Sequence, residues 1–487
     1  SSTTLNFDKT WGDHHVAALA GWEAEEEKYH MTRIGKIDFS YAGATESIFG
    51  TNYEDGYAYS REEGLLSALG SLSYDYKAKY YLTGTFRRDG SSRLAPETRW
   101  GDFWSVSGSW RFSNEGFLKD VEWLNDGKLR GSYGTSGTLP SDYFGYMSVY
   151  DFEQYGSAGA SYPGNLANTD LTWEKNKNWN VAVDATIFDK YNFTIEYFEK
   201  KTTDLLLDAK VPSTTGFSTT LTNIGSMSNK GWEIAVNVDI IKDKDIDLSV
   251  GANWSTIKNK VTYIHETLDA IDGQSFHTYG AITRFEVGKP AWYFYGYKYT
   301  GIDEATGNPT FADLNDDNAI TEADKTMIGK GIADMTYGIT LTAAWKGLDL
   351  IVFGTGSYGA DIYSCLNRPD YTLNKLTYFV EDRWTPSHTK ASMPRAGATD
   401  MDKYYTSSAS VFDGSYFKIK QIQLGYTFPQ KWMKTIKVSN LRVYASLDDF
   451  FTFSDYPGFD PEVTNMGVDK GTFPTSKKVV AGVSITF

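Results

Sequence analysis

The stretch Val479-Val480-Ala481-Gly482-Val483-Ser484-Ile485-Thr486-Phe487 decides how the rest of the chain is read. Along a strand, side chains alternate between two faces. Val479, Ala481, Val483, Ile485 and Phe487 therefore share one face, and Val480, Gly482, Ser484 and Thr486 share the other. Two structures suit such a segment. In a transmembrane barrel the odd residues meet lipid and the aromatic Phe487 sits at headgroup level. In a β-sandwich the same segment is an ordinary amphipathic strand.

Composition narrows the classes. The 487 residues suit two to four soluble domains or one large barrel. No run of about 18 apolar residues is present, which excludes a transmembrane helix. A hydrophobic share of 41% looks soluble, yet a barrel with a wet lumen needs only alternate residues to be apolar. The formal charge of −15 argues against nucleic acid as a partner. Cys365 stands alone, so no intrachain disulfide forms. The first residues, Ser1 to Phe7, read as a strand already under way, with no signal peptide.

Period-two segments recur along the whole chain, several of the about 9–11 residues a tilted strand needs to cross a bilayer. Trp104, Val106, Gly108, Trp110 and Phe112 oppose Ser105, Ser107, Ser109 and Arg111. Ile246, Leu248, Val250, Ala252 and Trp254 make another apolar face, as do Trp232 to Ile240 and Trp179 to Ile187. Near the end, Leu441, Val443, Ala445 and Leu447 oppose Arg442, Tyr444, Ser446 and Asp448. Val443, Leu447, Val483, Ile485 and Phe487 are the expected membrane-facing residues. Trp and Tyr gather at segment ends, as an interfacial girdle requires.

Connections alternate between short and long. Residues 9–14, 75–79, 189–192, 241–245 and 346–347 are short; 28–63, 137–170, 211–230, 265–335, 360–413 and 454–477 are long. Tight periplasmic turns facing long extracellular loops are the pattern of an outer-membrane barrel. The expected fold class is therefore all-β, an antiparallel transmembrane barrel contributing about fifteen strands. An odd number cannot close an antiparallel ring, so further strands are expected before Ser1.

Particular motifs carry a resemblance. The stretch Tyr80 to Arg93, read as a hairpin, and the segment Arg99-Trp100-Gly101-Asp102-Phe103-Trp104 that follows resemble the SusC/RagA-type TonB-dependent transporters. So do Lys128 to Gly134, Asn223 to Gly231, Arg383-Trp384-Thr385-Pro386, Met393-Pro394-Arg395 and Asp413 to Ile419. The resemblance implies that residues 1–487 are the C-terminal part of a barrel of about 22 strands, with an N-terminal plug and the first strands outside this chain. It implies no enzyme but an importer of oligosaccharide or peptide fragments in the outer membrane of a Gram-negative, Bacteroidetes-like bacterium. A SusD-like surface lipoprotein would serve as lid, and TonB would act through the N-terminal portion. The other classes considered are a passive porin and a secreted glycan-binding β-protein.

Asp313 to Asp324 fits a calcium loop, with Asp313, Asn315, Asp317, the Ala319 carbonyl, Thr321 and Asp324 as oxygen ligands. Asn318 replaces the turn glycine and Asp324 the usual glutamate; an acidic solvated turn is the other reading. No other cofactor is indicated. Gly354-Thr355-Gly356-Ser357-Tyr358-Gly359 matches GxGxxG, but without surrounding βαβ units these are read as strand-end glycines. No catalytic nucleophile is evident. Tyr143, Phe144, Tyr146, Trp292, Tyr293, Tyr295, Tyr371, Tyr404 and Tyr405 lie in long loops. Aromatic faces there either stack on sugar rings or peptide side chains or pack the loops on one another.

Overall fold

The computed structural model describes every residue except 42, 44, 45, 157, 267, 368–375, 434–437, 464 and 465. Fifteen strands follow one another in chain order. They are β1 (Ser2–Trp11), β2 (His14–Phe39), β3 (Gly50–Tyr76), β4 (Tyr80–Ser91) and β5 (Trp100–Trp110). Next come β6 (Leu124–Thr138), β7 (Glu174–Ile187), β8 (Tyr191–Lys210), β9 (Thr219–Lys242) and β10 (Ile246–Thr256). The last are β11 (Met335–Trp345), β12 (Leu348–Tyr358), β13 (Tyr416–Thr427), β14 (Asn440–Ser454) and β15 (Lys478–Thr486). The antiparallel meander is that read from the period-two segments. The chain forms two compact units, one of residues 1–108, 132–178 and 202–225, the other of 109–131, 179–201 and 226–487.

In the second unit the register lines up the outward face. Val250, Leu341, Val352, Ile422, Leu447 and Val479 are successive cross-strand partners, and so are Ile246, Trp345, Leu348, Tyr426, Val443 and Val483. Eight residues separate Tyr337 from Trp345, about 26 Å along the strand at ~3.3 Å each. Tilting reduces this to about 20 Å, close to the about 25 Å apolar band of an outer-membrane wall. Trp254, Tyr337, Gly356, Phe417 and Phe453 form one rung at the loop end of that band. The rings of Tyr337 and Phe417 stack at 6.1 Å above the intervening Gly356, where a Cβ would lie 2.2 Å from Tyr337. Of the GxGxxG glycines, Gly354 and Gly356 are strand positions that leave room for the Phe417 and Tyr337 rings, and Gly359 follows the strand end at φ +78° beside Asp334.

Opposite residues face the other way and include paired polar groups. In the second unit, Arg130 Nε donates to Asp184 at 3.1 Å, and another guanidinium nitrogen lies 2.7 Å from Glu196. Arg111 is likewise paired with Asp126 at 2.8 Å.

Two expectations are corrected. Tyr80–Ser91 is a single strand, pairing with β3 from Tyr76↔Tyr80 to Leu65↔Ser91, and not a hairpin. Residues 28–63 are not an irregular loop: β2 and β3 continue pairing from Ala24↔Leu66 to Phe39↔Gly50. β1 accompanies β2 only as far as Glu23, and β4 accompanies β3 only as far as Leu65, so the rest is a two-stranded ribbon. Both its faces meet water, so no period-two pattern marks it in the sequence. Residues 211–230 also shrink to a short connection, since β9 begins at Thr219.

Candidate functional site

The long connections of the second unit build a core of their own. Phe276, Ile282, Phe294, Tyr363, Cys365, Phe379, Tyr404, Tyr405 and Val468 pack together, drawn from three connections far apart in sequence. Tyr404 and Tyr299 meet edge to face at 5.5 Å, and the Tyr363 hydroxyl donates to the Tyr405 carbonyl at 2.5 Å. Burial raises the pKa of Tyr363 well above the ordinary phenol value. Tyr293, Tyr404 and Tyr405 are only 2%, 3% and 6% exposed, so their faces pack loops rather than wait for a ligand. Trp292 is half-buried against Phe285, at 5.3 Å.

Other expected aromatics keep some surface. The Arg284 guanidinium lies 3.5 Å from the centre of the Tyr295 ring, and Asp272 holds that arginine at 3.0 Å. In the first unit, Tyr143 carries Arg93 at 4.0 Å and Arg61 at 5.4 Å over its ring. Tyr146 packs on the buried cluster of Leu94, Leu171 and Trp173, and Phe144 stays exposed. Tyr371 lies outside the described residues.

The sequence reading missed an ion-pair network. Lys418 of β13 is 3% exposed in its side chain, and its ammonium lies 2.5 Å from Asp460 and 2.8 Å from Glu462. Lys420 adds a 2.6 Å contact to Glu462 and a 3.3 Å contact to Asp449. Together these tie the connection after β14 to the wall. Burial alone would raise the Asp460 pKa, but Lys418 and the amides of Glu462 and Thr475 hold it down at about 2. Glu462 is lowered against the same burial by Lys418 and Lys420. The only signal available beforehand was a lysine at alternate position in an otherwise transmembrane strand, which demands a partner.

In the acidic loop, Asp324 is fully buried and both carboxylate oxygens are taken: Oδ1 accepts from the Leu314 amide at 2.8 Å and Oδ2 from Thr321 at 2.7 Å. These backbone donors lower its pKa. Asp317 Oδ1 accepts from the Ala319 amide and Asn315 Oδ1 from that of Asp317. Asp313 Oδ2 accepts from Asn318, while its Oδ1 is buried without any partner. Among the described residues, no three His, Cys, Asp or Glu side chains are gathered at metal-holding distance. Backbone amides thus engage Asp324, one oxygen of Asp313 and one of Asp317, while Asp317 Oδ2 accepts from Asn315 Nδ2 at 2.9 Å and Glu322 pairs with Lys325 at 2.8 Å.

Val443 and Val483 are cross-strand partners, as are Leu447 with Val479 and Leu441 with Ile485. Val483, Ile485 and Phe487 are exposed.

A long antiparallel meander, apolar outward and charge-paired on its other face, defines an outer-membrane barrel wall. Residues 1–448 match the family model described as TonB dependent receptor-like, beta-barrel. The chain belongs to that family, one of outer-membrane receptors and transporters rather than enzymes. It is 29% identical to TonB-dependent receptor P3 of Formosa agariphila, over all of this chain and 52% of that protein. It is 30% identical to TonB-dependent receptor SusC of Bacteroides thetaiotaomicron, over 99% of this chain and 49% of the relative. The RagAB peptide transporter structure superposes with a TM-score of 0.86 at 24% identity, covering all of this chain and 55% of that one. The chain thus spans about half the length of the curated relatives it matches.

Proposed function

We propose that this chain forms the wall of an energised outer-membrane importer of oligomeric nutrient fragments, saccharide or peptide. The observation that carries this is one set of strands with two chemistries: an apolar rung such as Leu341–Val352–Ile422 outside, and ion pairs such as Arg130–Asp184 on the other face. A wet passage needs such a face. Aromatic and guanidinium groups on the loop side, Tyr143 with Arg93 and Tyr295 with Arg284, offer flat polar-edged surfaces to sugars or peptides. Energy would come from TonB acting on an N-terminal portion.

The two-stranded ribbon supports a protein partner on the loop side, for which a SusD-like surface lipoprotein is our assignment. It exposes Ile34, Ile37, Ile48 and Tyr53 at 59%, 42%, 79% and 65%, apolar surface of the kind that marks a contact site.

Uptake of labelled oligosaccharides and peptides by cells making the complete receptor tests the reading. Uptake should need the receptor and stop when a protonophore collapses the proton gradient. Uptake that continues unchanged would make the protein a passive porin.

A second reading concerns the loop 313–324. The buried, unpartnered Asp313 Oδ1 favours a Ca²⁺ ion held by Asp313, Asn315, Asp317 and the Ala319 carbonyl, with Thr321 and Asp324 closing the loop. The ion would supply charge neutralisation and loop order.

A further inference from the structure

β10 and β11 stay paired up to Thr256↔Met335, and the Ile257 amide still donates to the Asp334 carbonyl at 3.0 Å. Beyond that bond the two chains part. Past the gap the β10 chain is bonded instead to residues 288–291: the Ala291 amide donates to Asn259 Oδ1 at 2.6 Å, Val261 to the Lys289 carbonyl and Gly288 to that of Val261. The gap is a cavity of about 560 Å³ lined by Lys258, Lys260, Lys330, Ile257, Ile332 and Pro290, with Asp334 the one acid on its wall.

Three lysines line this gap in a chain whose net charge is −15. Asp334 is already paired with Lys330. Lys258 and Lys260 are exposed, and among the described residues neither makes an ion pair. Their direction follows from register. Ile234 pairs with Trp254, and Asn259 Nδ2 donates to Asn229 Oδ1 at 2.6 Å, five residues on along one strand and five back along the other. Ile257 interrupts the strand, but residues 258–264 resume pairing with β9, and the Asn259–Asn229 bond keeps the register of Ile234↔Trp254, which puts Lys258 and Lys260 on the face of Trp254. The same register sets the exposed Lys230 opposite Lys258. Like charges directly opposed across strands are destabilising unless something neutralises them. Trp254 is four residues below, at the loop end of the apolar band. The lysines thus sit where an outer-leaflet headgroup would lie, over an aromatic side chain suited to the headgroup boundary.

We infer that this cationic window binds the phosphate groups of an anionic outer-leaflet lipid. The inference rests on the reading that the outward face of the wall meets lipid. The cavity lies within the ordinary range of ligand sites, about 300–1,000 Å³. Ile257, Ile332 and Pro290 give it apolar surface beside the ammonium groups.

The complete receptor, purified in neutral detergent, is loaded with a bisphosphorylated glycolipid or with phosphatidylcholine, washed, and examined by native mass spectrometry. Wild type should retain the bisphosphorylated lipid, K258Q/K260Q at least tenfold less, and K258R/K260R as much as wild type. Phosphatidylcholine retention should not differ among the three. Unchanged heat-modifiable mobility on gels shows that the variants are folded. Equal retention of the bisphosphorylated lipid by wild type and K258Q/K260Q would overturn the proposal. Displacement of the lipid by millimolar inorganic phosphate would assign the window to a soluble anion and overturn the lipid source. Partition of the wild type into water without detergent is read separately and would overturn the membrane reading itself.

Discussion

Arg442 reaches across an intervening strand to Asp349: its Nε donates to Asp349 Oδ1 at 3.0 Å, although the residues are 93 positions apart. Gly425 lies between them, paired with Asp349 on one side and next to the Arg442 strand on the other. A Cβ at Gly425 would sit 2.5 Å from the guanidinium and 2.6 Å from the carboxylate. The pair exists because this position has no side chain.

Gly425→Ala should therefore break the pair and cost about 1 kcal/mol, the scale of a partly exposed ion pair. The Gly425→Ala/Asp349→Ala double variant should be little less stable than Asp349→Ala, because both remove the same interaction. Thermal unfolding in detergent measures both. Additive losses would show that the pair was not what the alanine displaced.

Leu341 stands midway between Tyr337 and Trp345 on one strand, the centre of the apolar band. Leu341→Arg should cost about 2–4 kcal/mol, as charge does near a bilayer midplane. Thr342→Arg, on the opposite face, should be milder. The contrast should recur between Val483→Arg and Ser484→Arg in β15. Folded yield in lipid vesicles reads it, and equal losses within each pair would reverse the inside and outside assignments.

Lys418→Met leaves Asp460 and Glu462 without their shared partner. Removing one member of a buried pair costs about 3–5 kcal/mol. Lys418→Met/Asp460→Asn should recover part of that loss. The pH dependence has a definite sign. Asp460 has a folded pKa of about 2, below the ordinary carboxylate value. The stability it contributes is complete above the unfolded pKa of about 4 and is lost as pH falls towards 2. Protease cleavage between Tyr456 and Lys477 should accelerate across that interval and stay constant from neutral pH down to its upper edge.

For the acidic loop, calorimetry with CaCl₂ should register one bound ion in the wild type and none in Asp313→Ala. Asp324→Asn should loosen the loop with or without Ca²⁺, because Asp324 clamps the Leu314 and Thr321 amides. No heat from the wild type at millimolar Ca²⁺ would return the loop to a solvated turn held by its own backbone.

The wall was legible in the chain itself. Period two is written into each strand locally, so Ile246 to Trp254 or Leu441 to Leu447 declares its faces without reference to neighbours. Turn positions such as Lys346-Gly347 were equally local, since a tight reversal requires φ values of +48° and +93° there. The ribbon of β2 and β3 was not legible, because a strand wet on both faces has no alternation to read. The loop aromatics were legible as residues but not as roles. Tyr143 and Tyr404 look alike in sequence; one lies under two arginines and the other is buried.

What the sequence alone determined is the antiparallel meander and which residues of each strand share a face, because strand geometry alternates side chains every residue. Tertiary structure alone decided which charges meet. Lys418 finds Asp460 and Glu462 more than 40 residues away, and Arg442 finds Asp349 over a glycine on the strand between. The physical reason is register. Each such partner is set by how far one strand slides along the next, and that shift is fixed only when all the apolar rungs align at once.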